Sequence, residues 1–163
     1  MAIAKRGQDM KKIFRLTKDG INELEKELNT LISRRPEVAE AIKNARELGD
    51  LSENAEYQSA RAEQDRDEAR ISEIENILQN VEIIQKPRTD NKVHLGSIVK
   101  LRAGSKEKQF QIVGTVEADP LNGKISDESP IGSALLEKKV GDLVDIKTPQ
   151  ETNSYKIVEI SRI

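Results

Sequence analysis

Two long stretches of the sequence repeat apolar residues at alternating steps of three and four, the spacing of a helix with one packed face. The first runs from about Lys18 to Leu48, after Thr17, which we expect to cap the helix. The second runs from about Glu53 to Val81. Heptad spacing of this kind is typical of helices that pack along each other. The predicted seam positions are Ile21, Leu24, Leu28, Leu31, Arg35, Val38, Ile42 and Ala45 in the first helix and Tyr57, Ala60, Gln64, Asp67, Ile71, Ile74, Leu78 and Val81 in the second.

The two seams can be aligned, because facing residues of an antiparallel hairpin have numbers with a constant sum. All eight pairs of seam positions sum to 102, for example 24 with 78 and 42 with 60. The alignment predicts a hairpin with its turn near residue 51 and an arm about 45 Å long. It also places Arg35 opposite Asp67, as an ion pair in the seam that fixes register. Pro36 removes one backbone donor, so we expect a bend there, with the helix resuming beyond it.

After residue 85 the pattern changes from helical to strand-like. The segment "KPRTDNK", residues 86–92, has no periodicity and is predicted to be a linker. "SIVKL", "KQFQIVG", "LVDIKT" and "SYKIVEI" are short and rich in β-branched residues, which favours strands, and "SPIGSALL" begins like a short helix. The predicted fold class is α+β, with a modest second core that includes Phe110. The expected organisation is a basic N-terminal extension at 1–15, a helical hairpin at 16–85, the linker at 86–92 and an α+β domain at 93–163.

Composition narrows the function classes. Of the 163 residues 34% are charged and 2% aromatic, which suits long solvated helices better than one large core. The absence of cysteine excludes disulfides and thiolate zinc sites, and a single histidine, His94, disfavours a histidine metal site. No apolar run has the length of a membrane span, and the basic N-terminus lacks the apolar core of a secretory signal, so we expect a cytoplasmic protein without membrane contact. Residues 1–35 hold nine basic against five acidic side chains, which indicates either a solvated helix face or an acidic or nucleic-acid partner.

The predicted turn, "GDLSENAEY" at 49–57, carries two acids, Asp50 and Glu53. Their spacing resembles a capping box, in which both carboxylates would satisfy backbone donors at the start of the second helix. The alternative is a metal site. Two carboxylates bind Mg²⁺ weakly, because the ion prefers six oxygen ligands, so such a site would have to be completed by another molecule. An arm that carries acids and an exposed Leu51 at its end would suit entry into a cavity.

These segments resemble the bacterial GreA-type transcript-cleavage factors of the Gre family. The resemblance is carried by "RRPEVAEAIKNARELGDLSENAEYQSAR" in the arm and by "VEADP", "ISDESPIGSALL" and "VGDLVDIKTP" in the second domain, and it covers nearly the whole chain from Phe14. It implies an N-terminal antiparallel coiled-coil hairpin and a small C-terminal FKBP-like α+β domain. It also implies that the C-terminal domain docks on RNA polymerase while the arm enters the secondary channel, where backtracked nascent RNA is hydrolysed near its 3′ end.

The resemblance assigns roles to individual residues. Asp50 and Glu53 match the catalytic acids, which help to hold a second Mg²⁺ that is shared with the polymerase and not bound tightly by the free protein. Support of the tip is expected of Asn54, Glu56, Tyr57 and Arg46, although Arg46 could equally pair with Glu56 or neutralise phosphate. An RNA-contacting basic face is expected at Arg34, Arg35 and Arg61. Polymerase docking is expected at Asp127, Ser129 and Pro130, with Pro130 equally interpretable as a plain helix start.

Other functions remain open at this stage. A channel-binding relative could regulate polymerase without promoting cleavage, and a coiled-coil adaptor or chaperone arm would carry capping acids with no chemistry. In the favoured interpretation the protein is a monomeric accessory factor. It stimulates an activity of the polymerase and is not itself an enzyme.

Overall fold

The computed structural model describes residues 12–51, 53–85, 91–147, 149 and 152–162. The chain divides into two compact units, one spanning Lys18–Gln79 and the other combining the residues up to Thr17 with those from Asn80 onward. We call the first unit the arm and the second the sheet unit. The elements in chain order are β1 (Phe14–Leu16), α1 (Lys18–Glu47), α2 (Ala55–Gln79), β2 (Val81–Ile83), β3 (Ser97–Ala103), β4 (Lys106–Val113), β5 (Lys124–Ser126), α3 (Pro130–Leu135), β6 (Leu143–Lys147) and β7 (Thr152–Arg162).

The arm is an antiparallel helical hairpin, as predicted. Early residues of α1 meet late residues of α2, as in the ion pair between Glu27 and Arg70. Helix α1 continues through Pro36 without a break in its assignment. Most of the predicted apolar seam is buried or half-buried along both helices. The buried residues of the two helices are Gly20, Leu24, Val38, Ile42 and Ala45 in α1 and Ala60, Ile71, Ile74 and Ile77 in α2.

The predicted seam needs three corrections. Ile77 is buried and Leu78 only half-buried, so the last turn of α2 presents Ile77. Val81 lies beyond the end of α2, in strand β2. The pair Arg35–Asp67 does not form. Arg35 lies exposed at the flank of the seam and contacts Glu68 instead.

The sheet unit is built on a five-stranded sheet with the order β5-β4-β3-β7-β6. All neighbouring strands are antiparallel except β4 and β5, which are parallel. Alternating side chains of the central strands, such as Val99, Leu101 and Ile157, are fully buried in one core with Leu135 of α3. Phe110, expected in this core, is half-buried against it. The α+β class, the four predicted strands and the short helix are confirmed.

Two short strands, one before the arm in the sequence and one after it, pair with each other. Strand β1 pairs in parallel with β2, in register Phe14↔Val81 and Leu16↔Ile83. Neither strand is predicted by the sequence pattern, and β1 overlaps the end of the predicted extension at 1–15. The rest of that extension up to residue 11, and residues 86–90 of the predicted linker, lie outside the described residues.

A buried carboxylate holds the end of β1. Glu117, whose side chain is 3% exposed, accepts hydrogen bonds from the Thr17 backbone N–H at 3.0 Å and from the Thr17 hydroxyl at 2.6 Å. Lys124 Nζ lies 3.9 Å from the same carboxylate. Gly114 lies so close to Arg15 that a Cβ on it would be 2.0 Å from the Arg15 carbonyl oxygen. Residues 14–17 are therefore an integral part of the sheet unit.

Candidate functional site

The tip of the arm is a short turn between two helices. Helix α1 ends at Glu47, and the Leu48 backbone N–H bonds to the Ala45 carbonyl at 3.2 Å. Gly49 follows with φ of 137°, a conformation that side-chain-bearing residues rarely adopt. A Cβ here would meet nothing within 4 Å, so the backbone angle alone requires glycine. The chain thus turns sharply at Gly49, directly after α1, and the acidic segment follows.

Asn54 caps the second helix and also binds the first. Its Oδ1 accepts a hydrogen bond from the Tyr57 backbone N–H at 3.1 Å, the bond that an N-cap side chain makes. Its Nδ2 donates to the Ala45 carbonyl oxygen at 2.5 Å. The expectation that Asp50 and Glu53 form the capping box of α2 is therefore wrong. The helix begins at Ala55, and the residue directly before it takes the cap.

Asp50 and Glu53 lie within the segment enclosed by the Asn54–Ala45 bond, and both are exposed. Leu51, between them, is 43% exposed, as expected for a side chain with no place in the seam. Among the described residues no group of three or more acidic, histidine or cysteine side chains is arranged to hold a metal ion. The tip can therefore supply at most part of a coordination shell.

Below the turn, Arg46 and Tyr57 pack against each other. The Arg46 guanidinium carbon lies 5.6 Å from the centroid of the Tyr57 ring, a cation–π contact. Tyr57 itself packs on a buried cluster that includes Ile42 and Ala60. Among the described residues the contact of Arg46 is with this ring and not with Glu56, and neutralisation of phosphate by Arg46 stays a prediction. Glu56 is exposed in the first turn of α2, where a carboxylate interacts favourably with the helix dipole.

The three arginines expected to contact RNA differ in their partners. Arg34 pairs with Glu63 and lies 3.5 Å from Asp67. Arg35 makes two hydrogen bonds of 2.7 Å with Glu68. The described partner of Arg61 is a neutral amide, Gln64 Oε1, at 2.6 Å.

These contacts also set the local electrostatics of the arm. Hydrogen bonds from Arg35 hold the pKa of the Glu68 carboxyl below its ordinary value. Hydrogen bonding from Arg70 similarly lowers the pKa of Glu27. Both carboxylates are thus ionised and offset the charge of their arginines. Of the expected basic face, Arg61 keeps the least compensated charge.

The predicted docking loop in the sheet unit is ordered by its own hydrogen bonds. Ser129 is the N-cap of α3, accepting from the Gly132 N–H at 3.0 Å and donating to the Ser126 carbonyl at 2.7 Å. Pro130 occupies the first turn, as a helix-start proline does, and is exposed. The Asp127 N–H bonds to the Val113 carbonyl. Ser129 and Pro130 therefore have a structural explanation, Asp127 is held through its backbone, and docking by these residues stays a prediction.

Next to this loop lies a cavity that the sequence pattern does not predict. It measures about 670 Å³ and is lined by apolar and polar side chains, two lysines among them. Lys108 Nζ lies 5.7 Å from the Tyr155 ring centroid. The signal in the sequence was one rare aromatic residue on each of two predicted strands, Phe110 on β4 and Tyr155 on β7, which lie on either side of β3 in the sheet. The lining includes Lys106, Lys108, Phe110, Ile131, Ile146 and Tyr155.

None of the helices in the described part of the chain combines the length and the hydropathy of a membrane span.

Comparisons with known proteins agree with the architecture. The family model described as "Transcription elongation factor, N-terminal" matches residues 14–83, and "Transcription elongation factor, GreA/GreB, C-term" matches residues 88–162. The chain is 51% identical over 156 residues to transcription elongation factor GreA of Acholeplasma laidlawii (strain PG-8A), covering 94% of this chain and 98% of the relative. It is 45% identical to GreA of Lactococcus lactis subsp. cremoris (strain MG1363), covering 93% and 99%.

One solved structure with a similar sequence is that of the transcription factor Gfh1. It is 32% identical, covers 93% of this chain and 99% of its own, and superposes with a TM-score of 0.45. The two family matches together span both units of the molecule. The chain belongs to the GreA/GreB family of transcription elongation factors.

Proposed function

We propose that this protein binds bacterial RNA polymerase in the cytoplasm, inserts its arm into the secondary channel and stimulates cleavage of backtracked nascent RNA. One observation carries the proposal. Asn54 meets the capping need of α2, so the fold does not require Asp50 and Glu53 as caps at the exposed end of the arm. Two exposed carboxylates at the end of an arm can serve as oxygen ligands for a metal ion that another molecule holds.

The acids fit a shared Mg²⁺ site and do not fit an independent one. Carboxylate oxygens are the ligands that Mg²⁺ prefers, but two side chains leave most of its six positions open. The polymerase and the RNA would have to complete the shell. When bound there, the ion supplies activation of water and stabilisation of the charge that develops on phosphate oxygens. Asp50 is the stronger candidate ligand, and Glu53 acts directly or through a bound water.

The remaining tip residues would serve the RNA. Arg61 and Arg46 lie on the part of the arm nearest the turn, and their described partners are an amide and an aromatic ring. Such cations can neutralise phosphate without first breaking an ion pair. Arg34 and Arg35 would have to give up carboxylates to do the same. We therefore propose Arg61, rather than Arg34 or Arg35, as the main RNA contact.

The sheet unit would provide the docking surface. Its cavity is lined by apolar side chains together with Lys106 and Lys108, and it adjoins the Asp127–Pro130 loop through Ile131. A polymerase segment with an apolar side chain between acidic residues would complement it. In this proposal the protein is a monomeric accessory factor, and the nuclease activity belongs to the polymerase.

The test is RNA release from a stalled, backtracked bacterial elongation complex in Mg²⁺. Asp50→Asn and Glu53→Gln remove charge without changing shape, and Glu47→Gln is the matched control, because Glu47 is also exposed and ends α1. We expect the two tip variants to bind polymerase as the wild type does but to lose cleavage by about 100-fold, as when one electrostatic group is removed from a catalytic site. Glu47→Gln should behave as wild type.

Other outcomes assign other functions. Binding by every protein without stimulated cleavage by any would indicate a regulator that only occupies the channel. Absence of polymerase binding would indicate a coiled-coil adaptor. Arg61→Gln should reduce cleavage more than Arg35→Gln at equal occupancy, and the reverse order would refute the placement of the RNA contact.

A further inference from the structure

We infer that Asn54 is a positioning residue: its carboxamide clasps both helices and so holds Asp50 and Glu53 in place for the proposed cleavage reaction. This inference rests on the proposed function and deepens it. The clasp consists of two hydrogen bonds from one side chain, Nδ2 to the Ala45 carbonyl at 2.5 Å and Oδ1 from the Tyr57 N–H at 3.1 Å. It closes a ring of chain that contains both acids.

Both ends of the clasp are anchored in packed structure. Ala45 is 4% exposed in the seam of α1, and Tyr57 packs against the buried cluster of Val38, Ile42 and Ala60. Asn54 itself is half-buried, whereas Asp50, Leu51 and Glu53 are exposed. The Asn54 side chain therefore ties the tip to the packed seam on both helices. An exposed loop of this length without such a tie would sample many conformations.

The chemistry of the side chain separates this role from simple capping. An N-cap needs only one acceptor, and serine or aspartate supplies that as well as asparagine does. The second bond requires a donor on the same side chain, which asparagine has and a carboxylate lacks. That donor gives the Ala45 carbonyl, in the last turn of α1, a second hydrogen bond beside the one from the Leu48 N–H just beyond the helix. The residue type thus matches the two-sided contact.

The experiment compares Asn54→Ser, Asn54→Ala and Asp50→Asn in the full-length protein. Serine keeps the cap but is too short to reach Ala45 as well, so it removes the clasp selectively. Without polymerase, ¹⁵N relaxation should show lower order parameters for the Asp50 and Leu51 amides in Asn54→Ser. Thermal melting of the arm should stay at the wild-type temperature. Unchanged order parameters would overturn the clasp.

On polymerase, Asn54→Ser should bind with wild-type affinity but cleave roughly 10-fold more slowly, because a misplacement of about 1 Å can cost about 100-fold. The Mg²⁺ concentration for half-maximal cleavage should rise, and Asn54→Ala should be no more than about threefold slower again. Wild-type cleavage by Asn54→Ser, alongside an inactive Asp50→Asn, would overturn the inference and leave the proposed function standing. Wild-type cleavage by Asp50→Asn would overturn the proposed function, and the positioning role with it.

Discussion

Replacing Gly114 by alanine tests how the N-terminal strand is held. Gly114 has φ of −69° and ψ of 161°, angles that alanine adopts freely. On backbone grounds alone the change should stabilise the fold by about 0.4–1 kcal/mol, because alanine has less freedom in the unfolded chain. The structure predicts the opposite, since the new Cβ would lie 2.0 Å from the Arg15 carbonyl oxygen.

The size of the effect follows from the displacement that the clash demands. Real Cβ contacts essentially never fall below 3.0 Å, so β1 must move by about 1 Å, and a backbone oxygen cannot swing aside. That movement would stretch the Ile84 N–H bond to the Leu16 carbonyl, now 2.8 Å, and the Thr17 hydroxyl bond to Glu117, now 2.6 Å, beyond hydrogen-bonding distance. Loss of one hydrogen bond between neutral groups and of bonds to a carboxylate should together lower the local free energy of unfolding by about 2–4 kcal/mol.

The assay is native-state amide hydrogen exchange, because it reports local free energies in a molecule with two units. The Ile84 amide should lose protection by the amount above, while the Gln58 amide, bonded to Asn54 in the arm, should keep its wild-type rate. Thr17→Val should cost less in the Gly114→Ala background than alone, because the displaced strand has already lost that contact. Unchanged or increased protection at Ile84, or strictly additive costs, would refute the reasoning.

Two further predictions concern the arm. Ile74→Ala truncates a side chain that is 0% exposed and should lower the free energy of arm unfolding by about 3 kcal/mol, measured by denaturation followed by circular dichroism. Ile32→Ala, at a residue that is 39% exposed, should lower it by less than about 1 kcal/mol. Equal losses for the two variants would contradict the assignment of Ile74 to the buried seam. Glu27→Gln should flatten the acid side of the stability–pH profile, because the pKa of Glu27 is lowered from 4.5 by Arg70. The contribution is present above about pH 4.5 and disappears as the pH falls through the folded-state pKa, and at this exposure it is less than about 1 kcal/mol. A profile unchanged by the substitution would contradict the assigned pKa shift.

Periodicity was sufficient to predict the hairpin and the central strands. A step of three or four identifies a helix face to within one residue, which is why Ile42 and Ala60 were placed correctly. The same tolerance explains the error at Arg35. A long guanidinium at the edge of a seam can reach either of two neighbouring carboxylates, and the heptad cannot distinguish Asp67 from Glu68.

The residues that form the tip were predicted from the sequence, but the residue that caps α2 was not. Asp50, Glu53 and Asn54 can all take part in helix caps, and the sequence pattern does not determine how many residues the turn contains. The structure assigns the cap to Asn54 because only that residue lies directly before Ala55. Strands of three residues, such as β1, and close backbone approaches, such as Gly114 to Arg15, leave no periodic signal.

The strand pair β1–β2 constrains the order in which the protein can be assembled. The two strands are separated in the sequence by the whole arm, so their pairing closes a long loop at a cost in chain entropy. That cost is lower once the helical hairpin has formed, because the hairpin brings its own two ends together. Glu117 lies a hundred residues after Thr17 and is synthesised long after it. On the ribosome, β1 therefore emerges before the residues that hold it, and the arm folds before that strand is secured.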